Sequence, residues 1–442
     1  MMAGLAEHAL IIMAIPFLGA ALGTIFWSKP TLFKTWGLLV ITATWLGVAV
    51  PSWMSDTPTT ISLFLIHLIL STGFLTILGH HPNKETPISL CLMLLFTGLG
   101  LGYMVSPGPS GSIFLSGILG LLILALIRHR RQGRETSWYA LGILAVGIIS
   151  LLVSVVVPDP IRIMALLLPL AIVWPLLPVQ GAFVSSLTCL PGPLPAFLAV
   201  LFPGLGFYGI TNLLPVIPEG ALTLVCVVAI GSALYGSLLA LSQNSMDRLL
   251  AYAQMALGAI LWWYMALTQS VAQGTVPYLA GLSLVICGLL LASQQIRTRF
   301  GHLDLHASHG LAHIMPCFST LFVLLITAAI GFPMFTLFSS FMEMLLRLSS
   351  FPVGNLMMIL LVWLMASWYF PRLMQQVLFG HPSPRYQAGD DLRVSEQLSL
   401  VLLLALLVTL TIMPSHWFGS TDPAVQTVQP SFGILQGGIW KP

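Results

Sequence analysis

The residues of this chain able to carry charge or hold a metal are few, and their spacing limits the chemistry open to them. Glu343 and Arg347 stand four apart in "SSFMEMLLRLSS", so they share one face of a predicted helix. The pair reads as a carboxylate that takes up and releases a proton, or as a charge-compensated helix end. His67 sits midway along the apolar run "SLFLIHLILSTG". An ionisable group at that depth in lipid is a site hypothesis by default. The competing reading is a neutral imidazole bonded to a neighbouring helix. His302, His306, His309 and His313 recur at steps of four, three and four. On a helix they would share a face with transition-metal geometry; in a loop they would only line an interface, and no metal is assigned. Cys91, Cys189, Cys226, Cys287 and Cys317 are scattered singly with no CxxC pair, so they read as small hydrophobes. "RHRRQGR", from Arg128 to Arg134, suits anionic lipid or a partner, although loop topology alone accounts for it. There is no nucleotide-binding loop, haem-attachment motif or nucleophile constellation. No cofactor is assigned, and the chain is not read as catalytic alone.

The elements that must position these groups follow from composition. Of 442 residues, 57% are hydrophobic and only 7% charged, with a mean hydropathy of +0.97. Soluble domains carry roughly 25% charged residues. Uncharged runs of about twenty residues recur, so the class is an all-α polytopic membrane protein. The alternating ten-residue segments of a membrane β-barrel are absent. A net charge of +3 is too small to argue for nucleic acid. The first run, "HALIIMAIPFLGAALGTIFW", has no basic stretch before it and reads as a retained helix.

Apolar runs near 9–27, 35–53, 60–78, 88–105, 112–127, 138–157, 161–178, 181–213, 221–241, 249–269, 276–295, 311–348, 353–371 and 397–414 predict about fourteen spans. Two runs exceed what one straight helix needs to cross ~30 Å of hydrocarbon. Residues 181–213 contain "CLPGPLPAF" and residues 311–348 contain "AIGFPMF", so both are expected to break at their prolines. Paired interrupted helices are the usual pointer to inverted repeats. The basic residues fall in alternate loops, which by the positive-inside rule puts both termini outside the cytoplasm.

Four stretches carry a resemblance. "PLLPVQG" resembles a "PxxPxH" element, "LYGSLLALSQNSMDRLLAYAQMALG" a "YGxxxAxxQxDxKRLxAYSSxxxxG" element, and "AAIGFPMFTLFSSFMEMLL" a "GxPxxxxFxxE" element. "PRLMQQVLFGHP…DDLRVSEQLSLVLLLALLVTLTIMP" is similar to the closing section of the same family, the antiporter-like membrane subunits of respiratory complex I, nearest the chain M type of NADH–quinone oxidoreductase and more distantly cation/proton antiporter subunits. The resemblance implies two inverted five-helix repeats, each with a broken helix, flanked by further helices. The division is 1–109 for N-terminal helices, 110–241 with a break near 190–204, 242–352 with a break near 331–333, and 353–442 for C-terminal helices and tail. It also implies a mid-membrane row of lysines, glutamates and histidines that carry protons.

This chain departs from that row. The family glutamate of the fifth span falls near Gly117, the lysine before "PxxP" at Val173 or Trp174, and the lysine of the broken helix at Pro203 or Gly204. The element's histidine is Gln180, and "DxKR" has become Ser245, Met246, Asp247, Arg248. The proton-path candidates left are Glu343, His67, Gln180 and Asp247. Three functions follow as expectations: a scaffolding subunit of an energy-converting complex with an interrupted proton path; an active proton or cation translocator with an altered route; or the membrane half of a two-part inorganic-carbon uptake system. Each implies other membrane and peripheral subunits and lipid as partners. The expected location is the bacterial inner membrane.

Overall fold

Backbone in hydrocarbon must satisfy its own hydrogen bonds, and this chain does so with helices; no strand occurs among the described residues. The computed structural model describes residues 2–413 except 55–59, 107, 131–136, 159–160, 273, 302–309, 349–352 and 381–390. In order the helices are α1 (Met2–Gly23), α2 (Pro30–Met54), α3 (Ile61–Gly79), α4 (Thr86–Val105), α5 (Pro109–Arg130), α6 (Trp138–Val156), α7 (Ile161–Val173), α8 (Gly181–Cys189) and α9 (Leu194–Leu213). They continue with α10 (Glu219–Ser242), α11 (Met246–Thr268), α12 (Thr275–Phe300), α13 (Leu311–Ile314), α14 (Pro316–Ile330), α15 (Thr336–Arg347), α16 (Val353–Leu378) and α17 (Val394–Ile412). Among the described residues, eleven helices are long and apolar enough to cross a membrane, and three shorter apolar ones join them. Every one of the fourteen apolar runs holds at least one helix.

Local chemistry sets the ends. Thr60 and Ser137 each accept a backbone N–H in the first turn of α3 and α6, at 3.3 and 3.2 Å. α14 stops at Gly331, whose φ of +85° is left-handed, with Gly331 N–H donating to Ala328 and Phe332 N–H to Thr327. A side chain there would also run into Trp363, 2.2 Å away. Prolines open α2 and α14, where a missing donor does no harm.

The run 181–213 is interrupted at "LPGP", 190–193, and α9 then continues unbroken from Leu194 to Leu213. This interruption is the turn between antiparallel α8 and α9, with Gly192 (φ +61°) beside His80 and Ser89 at the ends of α3 and α4. A further interruption lies at 174–180, between α7 and α8. Two prolines, 175 and 178, deny donors there, and the remaining backbone finds other partners: Leu177 N–H donates to Ser232 Oγ at 2.8 Å, and Tyr139 Oη donates to the Pro178 carbonyl at 2.5 Å. The other expected interruption, 331–335 between α14 and α15, falls where the sequence places it.

In lipid, helices associate by close packing and polar contacts more than by the hydrophobic effect. Gly236 of α10 lies where a Cβ would stand 3.1 Å from Ala256 and the Tyr252 carbonyl of α11, so the two helices run in close contact. α12 is wrapped by α9, α11, α14, α15, α17 and α3, and none of its most apolar stretch faces out.

Lys34, Arg128, Arg248, Arg297, Arg299 and Arg393 sit where α2 begins, α5 ends, α11 begins, α12 ends and α17 begins, which defines a basic end of the bundle. There an ionic clasp holds α17. Arg299 pairs with Glu396, which is 2% exposed, and also donates to the Asp391 carbonyl at 3.3 Å. Glu396 accepts the Arg393 N–H at 3.0 Å, and Arg393 reaches across to His81. Asp391 caps α14 by accepting Cys317 N–H at 2.8 Å and Phe318 N–H at 3.2 Å. Burial alone would raise the Asp391 carboxyl; these backbone donors outweigh it and hold it below the usual carboxylate range. Removing one member of a buried pair strands the other. Glu396→Ala is expected to destabilise the detergent-solubilised chain by about 3 kcal/mol, read as a lower unfolding temperature, while Lys84→Ala, outside the clasp, leaves it unchanged.

Candidate functional site

Among the described residues, every Lys, Arg, Asp and Glu side chain on a spanning helix lies within about two turns of a helix end. The four proton-path candidates are accordingly not brought together. Asp247 opens α11 at the basic end, paired with Arg297 and accepting Ser293 Oγ–H at 2.5 Å, both on α12. Glu343 stands near the opposite end, half exposed, bonded to Arg347 at 3.1 Å and lying against Gly274 ahead of α12. His67 lies midway on α3, where its Nδ1 accepts the Trp45 indole N–H at 3.0 Å from α2. Gln180 precedes α8 at the end of the first interruption, with its Oε1 buried and unpartnered among the described residues.

The positions where the resemblance puts lysines are filled by apolar atoms. Val173 and Trp174 are 2% and 1% exposed. The Trp174 ring lies 5.0 Å from Trp262 of α11 and 6.0 Å from Phe207 of α9. Two glycines make room for it: a Cβ on Gly206 would come within 2.4 Å of Trp174 Cβ, and one on Gly258 within 2.8 Å of its Nε1. Pro203 is buried inside α9, Gly204 faces Ile69, and Gly117 packs beside Leu99. The indole N–H groups of Trp174 and Trp262 have no acceptor among the described residues. Near this wedge, Gln254 of α11 donates to the Ala199 carbonyl of α9, while its Oε1, like Ser283 Oγ on α12, is unpartnered there. Amides and hydroxyls of this kind bind water but do not exchange charge near neutral pH.

At the basic end the polar groups do converge. A cavity of about 340 Å³ is lined by Asn83, Glu85, Asp247, Gln294, Arg297 and Thr298, with Pro191 and Gly192 of the α8–α9 turn. Its Gln294 donates through Nε2 to His80 Nδ1 at 2.7 Å, which leaves His80 Nε2–H to donate to Thr86 Oγ1 at 2.9 Å. Lys34 Nζ closes the group, donating to the Leu78 and His80 carbonyls at 2.9 and 2.7 Å and so capping α3. This His80–Gln294–Lys34 group is invisible in the sequence. Its partners are tens to hundreds of residues apart, and half the acceptors are backbone carbonyls.

Of the four histidines spaced for a metal, His302, His306 and His309 lie outside the described residues. His313 sits in the single turn of α13, which Gly310 (φ +57°) precedes. No cluster of three or more potential metal ligands occurs among the described residues.

His80 is fully buried. Desolvation, with the Lys34 and His81 charges beside it, lowers its pKa from the usual 6.5 to about 3. A lowered histidine pKa means the unfolded chain binds the proton first. The stability it contributes is complete above about pH 6.5 and drains away as pH falls toward 3. His80→Gln is therefore expected to flatten the drop in unfolding temperature between about pH 7 and about pH 5, measured beside the parent chain in one detergent.

The geometry matches known proteins. Residues 160–368 match the family described as NADH:quinone oxidoreductase/Mrp antiporter, transmembrane. The chain is 27% identical over 236 residues to NADH-quinone oxidoreductase subunit M of Rhodobacter capsulatus, covering 52% of this chain and 46% of that one. It is 23% identical over 226 residues to F(420)H(2) dehydrogenase subunit M of Methanosarcina mazei, covering 50% and 45%. These matches span about half the length of each relative. Among solved structures, a chain of the membrane-bound sulfane sulfur reductase, an archaeal respiratory membrane complex, superposes with a TM-score of 0.77 at 15% identity, over 93% of this chain and 95% of that one. A chain of respiratory complex I from Thermus thermophilus gives 0.75 at 19% identity, over 92% and 98%. With its apolar spans, its two interrupted helices and the family match from α7 into α16, this chain is a multi-pass membrane protein with the fold of the antiporter-like subunits of complex I.

Proposed function

We propose that the chain is an antiporter-like subunit of a complex I-related assembly in the bacterial inner membrane, and that it seals the bilayer and holds neighbouring subunits without a continuous proton path of its own. In this reading 110–241 and 242–352 are the two inverted repeats, the first interrupted at 174–180 as well as within 190–204, the second near 331–333. The observation that carries it is the replacement of the mid-membrane row by the Trp174–Trp262–Phe207 wedge, with charge held to the ends. A proton relay needs groups that bind and release protons within hydrogen-bond reach. Asp247 is locked to Arg297 at one end and Glu343 to Arg347 at the other, and His67 serves as acceptor to Trp45 at the edge between them. The relatives' printed names and the matched solved complexes, all multi-subunit, support partners of the same kind here.

Proton flux tests the reading directly. The chain in proteoliposomes under a pH gradient is expected to leak no faster than empty vesicles, and Glu343→Gln to change nothing. A flux that disappears in Glu343→Gln would establish an active translocator and overturn the scaffold. Purification from native membranes is expected to bring down several membrane and peripheral subunits of oxidoreductase type. A single zinc-bearing soluble partner would identify an inorganic-carbon system instead.

A further inference from the structure

One basic motif is not absorbed by the scaffold reading, and the structure places it beside a groove. Arg128 and Arg130 close α5 at the basic end. The Arg130 guanidinium lies 3.7 Å from the ring centre of Trp138, the first residue of α6, and that indole is 71% exposed. A guanidinium stacked on an exposed indole at a helix end is placed for the headgroup region of a bilayer. One residue further on, a cavity of about 260 Å³ begins between α6 and α7. Tyr139, Gly142 and Val146 form its α6 wall at steps of three and four, and Leu168 and Ile172 form its α7 wall. Seven residues of helix make it about 10 Å long.

Its shape has a cause in each wall. Gly142 is exposed in the interior of α6, and a Cβ there would meet nothing within 4 Å, so packing within the chain does not call for glycine. Glycine destabilises a helix interior relative to alanine. What its absent side chain does here is keep the groove floor open. At Gly147 the case reverses. A Cβ would stand 2.7 Å from Ile172, and the close approach of α6 and α7 there ends the groove. The Tyr139 hydroxyl is turned away to the Pro178 carbonyl, so the groove meets the ring and no polar atom of that residue.

We propose that this groove holds an acyl chain of an anionic phospholipid, with its phosphate against Arg130. The two halves fit one molecule: a narrow, apolar slot for a hydrocarbon tail, and a guanidinium stacked on Trp138 near its mouth that complements a phosphate. A zwitterionic lipid fits the slot equally and the mouth less well. The site depends on the chain lying in a membrane and is independent of whether it conducts protons.

The test uses the purified, delipidated chain, titrated with phosphatidylglycerol or phosphatidylcholine of the same acyl composition and followed by unfolding temperature. Phosphatidylglycerol is expected to stabilise at lower concentration. Arg130→Gln should raise its half-saturating concentration by about tenfold, to that of phosphatidylcholine. Gly142→Leu, which fills the floor, should weaken both lipids without lowering the lipid-free unfolding temperature. Equal potency of the two lipids on the parent chain, or parental titrations from both variants, overturns the site. A photo-crosslinking residue in place of Val146 in native membranes gives an answer that does not depend on variant stability. Capture of phospholipid supports the site; capture of a neighbouring subunit or a second copy overturns it.

Discussion

Much of this structure depends on a pairing at one edge of the membrane, Arg299 with Glu396. A guanidinium at the end of the central helix can remain out of bulk water only beside an anion, and α17 delivers that anion within its own first turn. The same few residues cap α14 through Asp391 and reach the α3–α4 connection through Arg393 and His81. Three helices distant in sequence are thus fixed to α12 by contacts at one level. The apolar surfaces beneath have little preference among one another in lipid, and polar contacts of this sort give them a register.

The same constraint explains the emptiness of the middle. Charge deep in hydrocarbon is costly unless it is paired or hydrated, and among the described residues the Lys, Arg, Asp and Glu side chains of the spanning helices lie near helix ends, where pairing and water are at hand. Between α9 and α11 lies the buried Trp174, and glycines 206 and 258 are shaped around that indole. The indole N–H groups of Trp174 and Trp262 find no acceptor among the described residues, so it is ring packing that holds this cluster together.

Helix positions were legible because lipid demands long uncharged runs, and each such run contains a helix. Depth was not legible. "CLPGPLPAF" carries the densest proline and glycine signal in the chain, and turn chemistry reads it as a break. Whether a turn lies mid-membrane or at the water interface depends on its neighbours, and Gly192 proves to sit beside His80 at the basic end. "WPLLPVQ" has the weaker signal, yet it interrupts the span, with Trp174 level with Gly206 in the interior of α9. Glu343 and Arg347 were legible as a pair because helical spacing alone brings them together. The Lys34–His80–Gln294 group was not, since it arises only when α2, the α3–α4 connection and α12 meet.

The clasp also has a temporal side. α12 is threaded into the membrane well before α17 exists, because synthesis runs from the N-terminus. Until the last helix arrives, Arg299 has no Glu396, and the central helix lacks the neighbour that completes its coat. A polypeptide arrested before residue 394 would present an orphan cation at the bilayer surface. Attachment of α14 and of the α3–α4 connection at this level likewise waits on residues 391–396.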